Sequence, residues 1–243
     1  MKKTLIIFLL LILSTGCASK KEPFDATAKF QEAEIYMKDM SFEKARKAYQ
    51  EIQEKAPDKS YDPALMLRIA DTYYGEEKYE EALVEYQAFL NYHPVHKDAP
   101  YAQYQIGMCN YEQFTTIDRD PEPVHTAIRE FENLLQKFPN NPYEEQAKKY
   151  IAICRDRSAE YELYVARFYY KKDSYKAAAG RCEYILKKYP GIAAEKDALY
   201  LAGQSYVELG DREQALRSFD MLVKKYPAMA GAVAPYLHKL QPK

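Results

Sequence analysis

With 243 residues, 47% of them apolar and 29% charged, the chain has the composition of an ordinary globular protein with material for a sizeable core. A formal charge of −1, more negative still if Lys2 and Lys3 are lost with a leader, offers no broad basic surface, so nucleic acid is not expected as a partner. Four cysteines without a CxxC pair or a tight cluster argue against a disulfide scaffold and against a zinc site.

In chain order the first element is an export leader. Met1, Lys2 and Lys3 give a positive start, and Leu5 to Leu13 give an apolar stretch of nine residues, too short to span a bilayer. The stretch stops at Leu13-Ser14-Thr15-Gly16-Cys17, which resembles the lipobox of bacterial lipoproteins, with Leu one place further from the cysteine than usual. That resemblance implies loss of residues 1–16, a diacylglycerol on the Cys17 thiol and an acylated amino group. No other cofactor is expected. Several acyl chains hold a protein on a membrane where one does not. An ordinary secretory leader is the alternative, and the lack of an A-x-A-type cleavage site counts against it. Ala18 rather than Asp after the cysteine implies, by the lipoprotein sorting rule, the periplasmic face of a Gram-negative outer membrane. Residues 17–26 read as a lipidated tether of roughly 30 Å reach.

From residue 27 the chain repeats. Pro57, Pro94, Pro139, Pro190 and Pro227 each close a helical pattern, and twelve residues before each stands Ala45, Ala82, Ala127, Ala178 or Ala215. Eight before each proline come Tyr49, Tyr86, Phe131, Cys182 and Phe219. Twenty-four before lie Ala33, Ala70, Ala166 and Gly203, with Gly107 in the third unit once an insertion is allowed, and three later Tyr36, Tyr73, Tyr169 and Tyr206, with Asn110 the exception. This is the helix–turn–helix pattern of tetratricopeptide repeats, so the expected fold is an all-α solenoid of five units. Small residues let the two helices of a unit approach, aromatics fill the gap to the next, and proline ends the second helix.

The proline spacings are 37, 45, 51 and 37 residues, so eight residues are added in the third unit and fourteen before the fourth. The eight fall in Phe114 to Val124, whose two prolines and three acids predict an exposed loop. The fourteen fall in Tyr143 to Tyr170, which lacks Gly and Pro and predicts one helix of about 28 residues. Because fourteen residues are nearly four turns, the apolar stripe Ala147, Tyr150, Ile151 and Cys154 is expected to continue through Tyr161, Tyr164, Val165 and Phe168. That helix would join residues 27–141, holding repeats one to three, to residues 142–243, holding repeats four and five.

The lipobox, five repeats, Asp118-Arg119-Asp120-Pro121 in the third, and the "DR.A.YE..VA.FY" pattern before the fourth together resemble the BamD family, the lipoprotein subunit of the β-barrel assembly machinery. The resemblance implies a periplasmic scaffold. Its C-terminal repeats would dock the POTRA region of the barrel subunit BamA, its N-terminal repeats would receive unfolded outer-membrane proteins, and other Bam lipoproteins could join. For the substrate groove the first helices of units one to three offer Phe30, Glu34 and Met37; Leu67, Asp71 and Tyr74; Tyr104, Met108 and Tyr111. Such a surface suits an extended peptide of alternating apolar and aromatic residues; the alternative is that these side chains pack between neighbouring hairpins. For the BamA side the candidates are Asp118, Arg119, Asp120, Arg155, Arg157 and Arg181, arginine being suited to desolvated carboxylate contacts.

Catalysis is not expected. His93, His96 and Asp98 sit at a repeat turn without a third-ligand motif, and no GxGxxG, P-loop or GxSxG occurs. Cys109, Cys154 and Cys182 lie in apolar stripes as small hydrophobes, with a disulfide between two of them left open. The rival function is another lipoprotein scaffold, a pilotin-like secretin escort or a cell-envelope coordinator, which usually lacks the loop and the helix extension.

Overall fold

A computed structural model describes residues 24–58, 62–114 and 122–240. The leader, Cys17 and Asp118, Arg119 and Asp120 lie outside the described residues. Among the described residues ten helices form five antiparallel pairs: α1 (Ala26–Lys38) with α2 (Phe42–Lys55), α3 (Asp62–Gly75) with α4 (Tyr79–Tyr92), α5 (Ala99–Glu112) with α6 (Glu122–Lys137), α7 (Glu144–Lys171) with α8 (Tyr175–Lys188), and α9 (Glu195–Leu209) with α10 (Arg212–Lys225). A 3-10 turn (Pro227–Met229) leads into α11 (Ala230–Lys239). Each helix packs on its neighbours in sequence. None among the described residues is long and apolar enough to cross a membrane.

The repeat slots have the expected physical roles. Ala33, Ala45, Ala70, Ala82, Ala127, Ala166, Ala178 and Ala215 are fully buried, and the side chains eight before each proline, Cys182 included, lie in the core with them. Where the small slot is glycine, the facing ring takes its space: a Cβ on Gly107 would stand 2.5 Å from the Phe131 ring, and one on Gly203 would overlap Phe219. Gly107→Ala is therefore expected to lower stability by about 1–3 kcal/mol through overpacking, measured by denaturant titration against wild type.

Each second helix stops one residue before the pre-proline position. At Ala56, His93, Tyr189 and Tyr226 the backbone has left the helix with positive ψ, as the following proline demands. The first helices end differently. The carbonyl of each repeat tyrosine, Tyr36, Tyr73, Tyr169 and Tyr206, accepts the N–H of the residue five further on, a Schellman closure. The left-handed residue of that closure is Met40, Glu77, Asp173 or Gly210. Asn110, the exception in the pattern, turns its side-chain amide back onto the Ile106 carbonyl instead.

Three features depart from expectation. The predicted loop through Val124 ends earlier, because α6 begins at Glu122 and Pro123 occupies its first turn, where a missing N–H costs nothing. The helix α11, which the repeat pattern did not foresee, buries Val233 against Leu199, Phe219 and Leu222 and so closes the open end of the array. The third is a correction within α7. Its length is 28 residues as predicted, but the apolar stripe does not run straight. Ala147 and Cys154 are buried against Val124, Phe131 and Leu134 of α6, whereas further along Ala159, Leu163 and Ala166 are buried against Cys182 and Ile185 of α8 and Tyr189 just past its end. At 3.6 residues per turn the buried face moves roughly 135° around the helix between the two halves. Tyr164 and Phe168, on the continued line of the first stripe, are 47% and 53% exposed.

Candidate functional site

The first helices of units one to three carry a polar ladder beside an aromatic row. Asp71 on α3 accepts hydrogen bonds from the hydroxyls of Tyr86 and Tyr101, each at 2.7 Å, and from Arg68 Nη1 at 3.2 Å. Arg68 Nε lies 2.9 Å from Glu34 of α1, which also accepts from the Tyr49 hydroxyl at 2.6 Å. One chain of charge-assisted bonds thus ties three repeats together. Burial and the neighbouring carboxylates push the hydroxyls of Tyr49 and Tyr86 far above the ordinary tyrosine range.

Alongside runs the row of rings. Tyr104 stacks on Tyr143 at 5.0 Å and meets Tyr150 at 6.4 Å; Tyr150 in turn meets Tyr111 at 4.8 Å. The Arg157 guanidinium lies 4.4 Å above the Tyr111 ring and 5.5 Å from Phe114, a cation–π cap on the end of the row. The Tyr104 hydroxyl is pushed up to about 12 by burial.

The predicted groove residues divide accordingly. Phe30 packs on Tyr49 at 5.5 Å and Tyr74 sets its edge on Tyr79 at 5.4 Å, both half-buried, as is Met37. Leu67 and Met108 are buried in the cores of units two and three and offer a peptide little surface. Tyr104 and Tyr111 remain partly accessible within the row. The sequence reading missed Arg68, Tyr143 and Tyr150. Arg68 carried one available signal, its spacing of three from Asp71 on one helix face.

The three described arginines of the other candidate surface occupy three different settings. Arg157 belongs to the aromatic row. Arg155 donates to the Lys188 carbonyl at 3.4 Å, at the end of α8. Arg181 on α8 binds Glu162 of α7 at 2.8 Å, and Glu162 is a nearly buried carboxylate, only 8% exposed. Arg181 itself stays 43% exposed, and its pairing with Glu162 holds its charge firmly. Among the described residues no three or more His, Cys, Asp and Glu gather where a metal could sit. Cys109, Cys154 and Cys182 are free thiols in the core.

Paired helices with matching small, aromatic and proline slots, an open face of rings and carboxylates, and a closing helix define a tetratricopeptide-repeat protein. The family described as "YfiO: Outer membrane lipoprotein" matches residues 24–218, and the chain belongs to it. Two relatives named "Outer membrane protein assembly factor BamD" are similar over most of their length. The Vibrio cholerae protein is 27% identical over 86% of this chain and 92% of its own, and that of Rickettsia prowazekii 29% over 93% of each. Among solved structures, the TPR2AB domain of yeast Sti1 in its pHSP90 complex superposes with a TM-score of 0.45 at 14% identity, covering 83% of this chain and 78% of that one.

Proposed function

We propose that the chain is the periplasmic, outer-membrane-anchored scaffold of a β-barrel assembly complex, with no catalytic step of its own. The observation that carries this reading is the family match, which runs through the first three repeats, the α7 extension and the fourth repeat. In this reading the lipid on Cys17 moors the protein, and the aromatic row with its carboxylate ladder receives unfolded outer-membrane proteins. Rings and backbone-pairing groups suit a segment of alternating apolar and aromatic residues. The second subarray, with Arg155 and Arg181 on or against α8, docks the POTRA region of a BamA-type barrel protein, and other Bam lipoproteins assemble around it. The segment Asp118-Arg119-Asp120 belongs to that contact.

The test is an affinity pull-down of the membrane-extracted protein from its own cells, followed by mass spectrometry. A POTRA-bearing barrel protein in near-stoichiometric amount is the expected result. A secretin or cell-wall synthases in its place would overturn the reading in favour of another scaffold. The anchor is tested separately. Cys17→Ser is expected to release the protein from the membrane fraction with its helical circular dichroism unchanged; retention on partner-free outer membrane would refute the lipid.

A further inference from the structure

Successive second helices leave crevices between them. The crevice between α4 and α6 carries one acid and one base, Glu130 and Lys137, and that between α8 and α10 carries one acid and two bases, Glu183 against Lys187 and Arg217. The crevice between α6 and α8 is larger, about 520 Å³, and has the greatest positive excess of the three. Arg129 from α6, Arg155 from α7 and Lys188 from α8 line it against the single carboxylate of Glu132, with Tyr184 and Ile128 as apolar walls.

It lies beside α7, on which α6 and α8 pack on sides roughly 135° apart. Arg155 has its guanidinium on the last carbonyl of α8. Arg129 has its nearest carboxylate, Glu130, at 3.7 Å, and its side chain is 58% exposed. Tyr184 is 43% exposed beside buried Tyr189, their rings 6.0 Å apart. On a chain of formal charge −1, three cations from three helices against the one carboxylate of Glu132 give a half-apolar cleft a net positive lining.

We infer that this cleft is the seat of an acidic segment of the assembly partner: a stretch with at least two carboxylates for Arg129, Arg155 and Lys188 and one apolar or aromatic side chain to lie against Tyr184. The inference rests on the scaffold reading, since it names the chemistry of the segment that the second subarray takes up. Arginine forks and a tyrosine wall are what a desolvated carboxylate contact requires.

The experiment places a photo-reactive phenylalanine at Tyr184 in the full lipidated protein in its own cells, and maps the cross-linked peptide by mass spectrometry. The expected adduct is to an acid-rich segment of the retained barrel protein. Arg129→Glu and Arg155→Glu are each expected to cut its yield about tenfold, while Lys137→Glu, in the neighbouring crevice, leaves it unchanged. Arg129→Glu carries the test if the loss of the Lys188 contact unfolds the Arg155 variant. An adduct to a neutral or basic segment, to lipid, to a second copy of this chain or to nothing overturns the assignment, as does a yield indifferent to the Arg129 charge. If the wild-type protein retains no barrel protein at all, the scaffold reading fails and this inference with it; retention without an acidic adduct at Tyr184 defeats this inference alone.

Discussion

Replacing Asp71 with Ala should lower stability by about 3–5 kcal/mol, more than any other single change in the polar ladder. The carboxylate accepts from two tyrosine hydroxyls and one guanidinium, and hydrogen bonds to a charged group contribute about 1.5–3 kcal/mol each. Truncation also leaves the hydroxyl of Tyr86, a residue with no exposed surface, without its acceptor. Because each repeat contacts mainly its neighbours, the loss should fall on units one to three. Denaturant unfolding followed by circular dichroism should then broaden or split, the first half melting before the second. Asp71→Asn keeps an acceptor oxygen and should recover part of the loss. A change below about 1 kcal/mol on Asp71→Ala would mean that the ladder does not close in solution.

The second large effect is alkaline unfolding. The Cys109 and Cys182 thiols are pushed up to about 12 and the Cys154 thiol to about 11 by burial. Tyr49 and Tyr86 are pushed up further, again chiefly by burial. An unfolded cysteine titrates near 8.5 and an unfolded tyrosine near 10, so above these values the unfolded chain has released protons that the native chain still holds. Stability is therefore complete below about pH 8.5 and falls as pH rises, by about 1.4 kcal/mol per pH unit for each group involved. Three thiols act first and the two tyrosines join from about pH 10. A domain stable by 5–15 kcal/mol should lose its helices by about pH 11. Circular dichroism against pH and tyrosinate absorbance should change together at the transition. Ordinary titration of all the tyrosines with helicity intact would refute the burial argument.

Much of this was legible in the chain. Alanine twelve residues before each proline is a one-dimensional signal, because both residues serve the same two-helix unit and the unit is local. The long helix was legible for a similar reason: nothing between Tyr143 and Tyr170 can stop one. Turns were less so, since left-handed positions are filled by Met40, Glu77 and Asp173, which carry none of the glycine signal that marks Gly210. Arg181 could be picked out as an exposed arginine on the fourth repeat. That it neutralises Glu162 could not, because the two lie on different helices and their approach depends on how α8 sits on α7.

By itself, then, the sequence determined the class of fold, the number of units, the place of both insertions and the family. All of these are properties of spacing within one helix or one hairpin. The tertiary structure decided which side of α7 is buried. Periodicity predicts a straight stripe, but α6 and α8 approach the helix from different sides, and burial follows the neighbours. That rotation leaves Tyr164 and Phe168 in solvent, while Arg155 reaches the Lys188 carbonyl at the end of α8 and lines the basic cleft beside Tyr184.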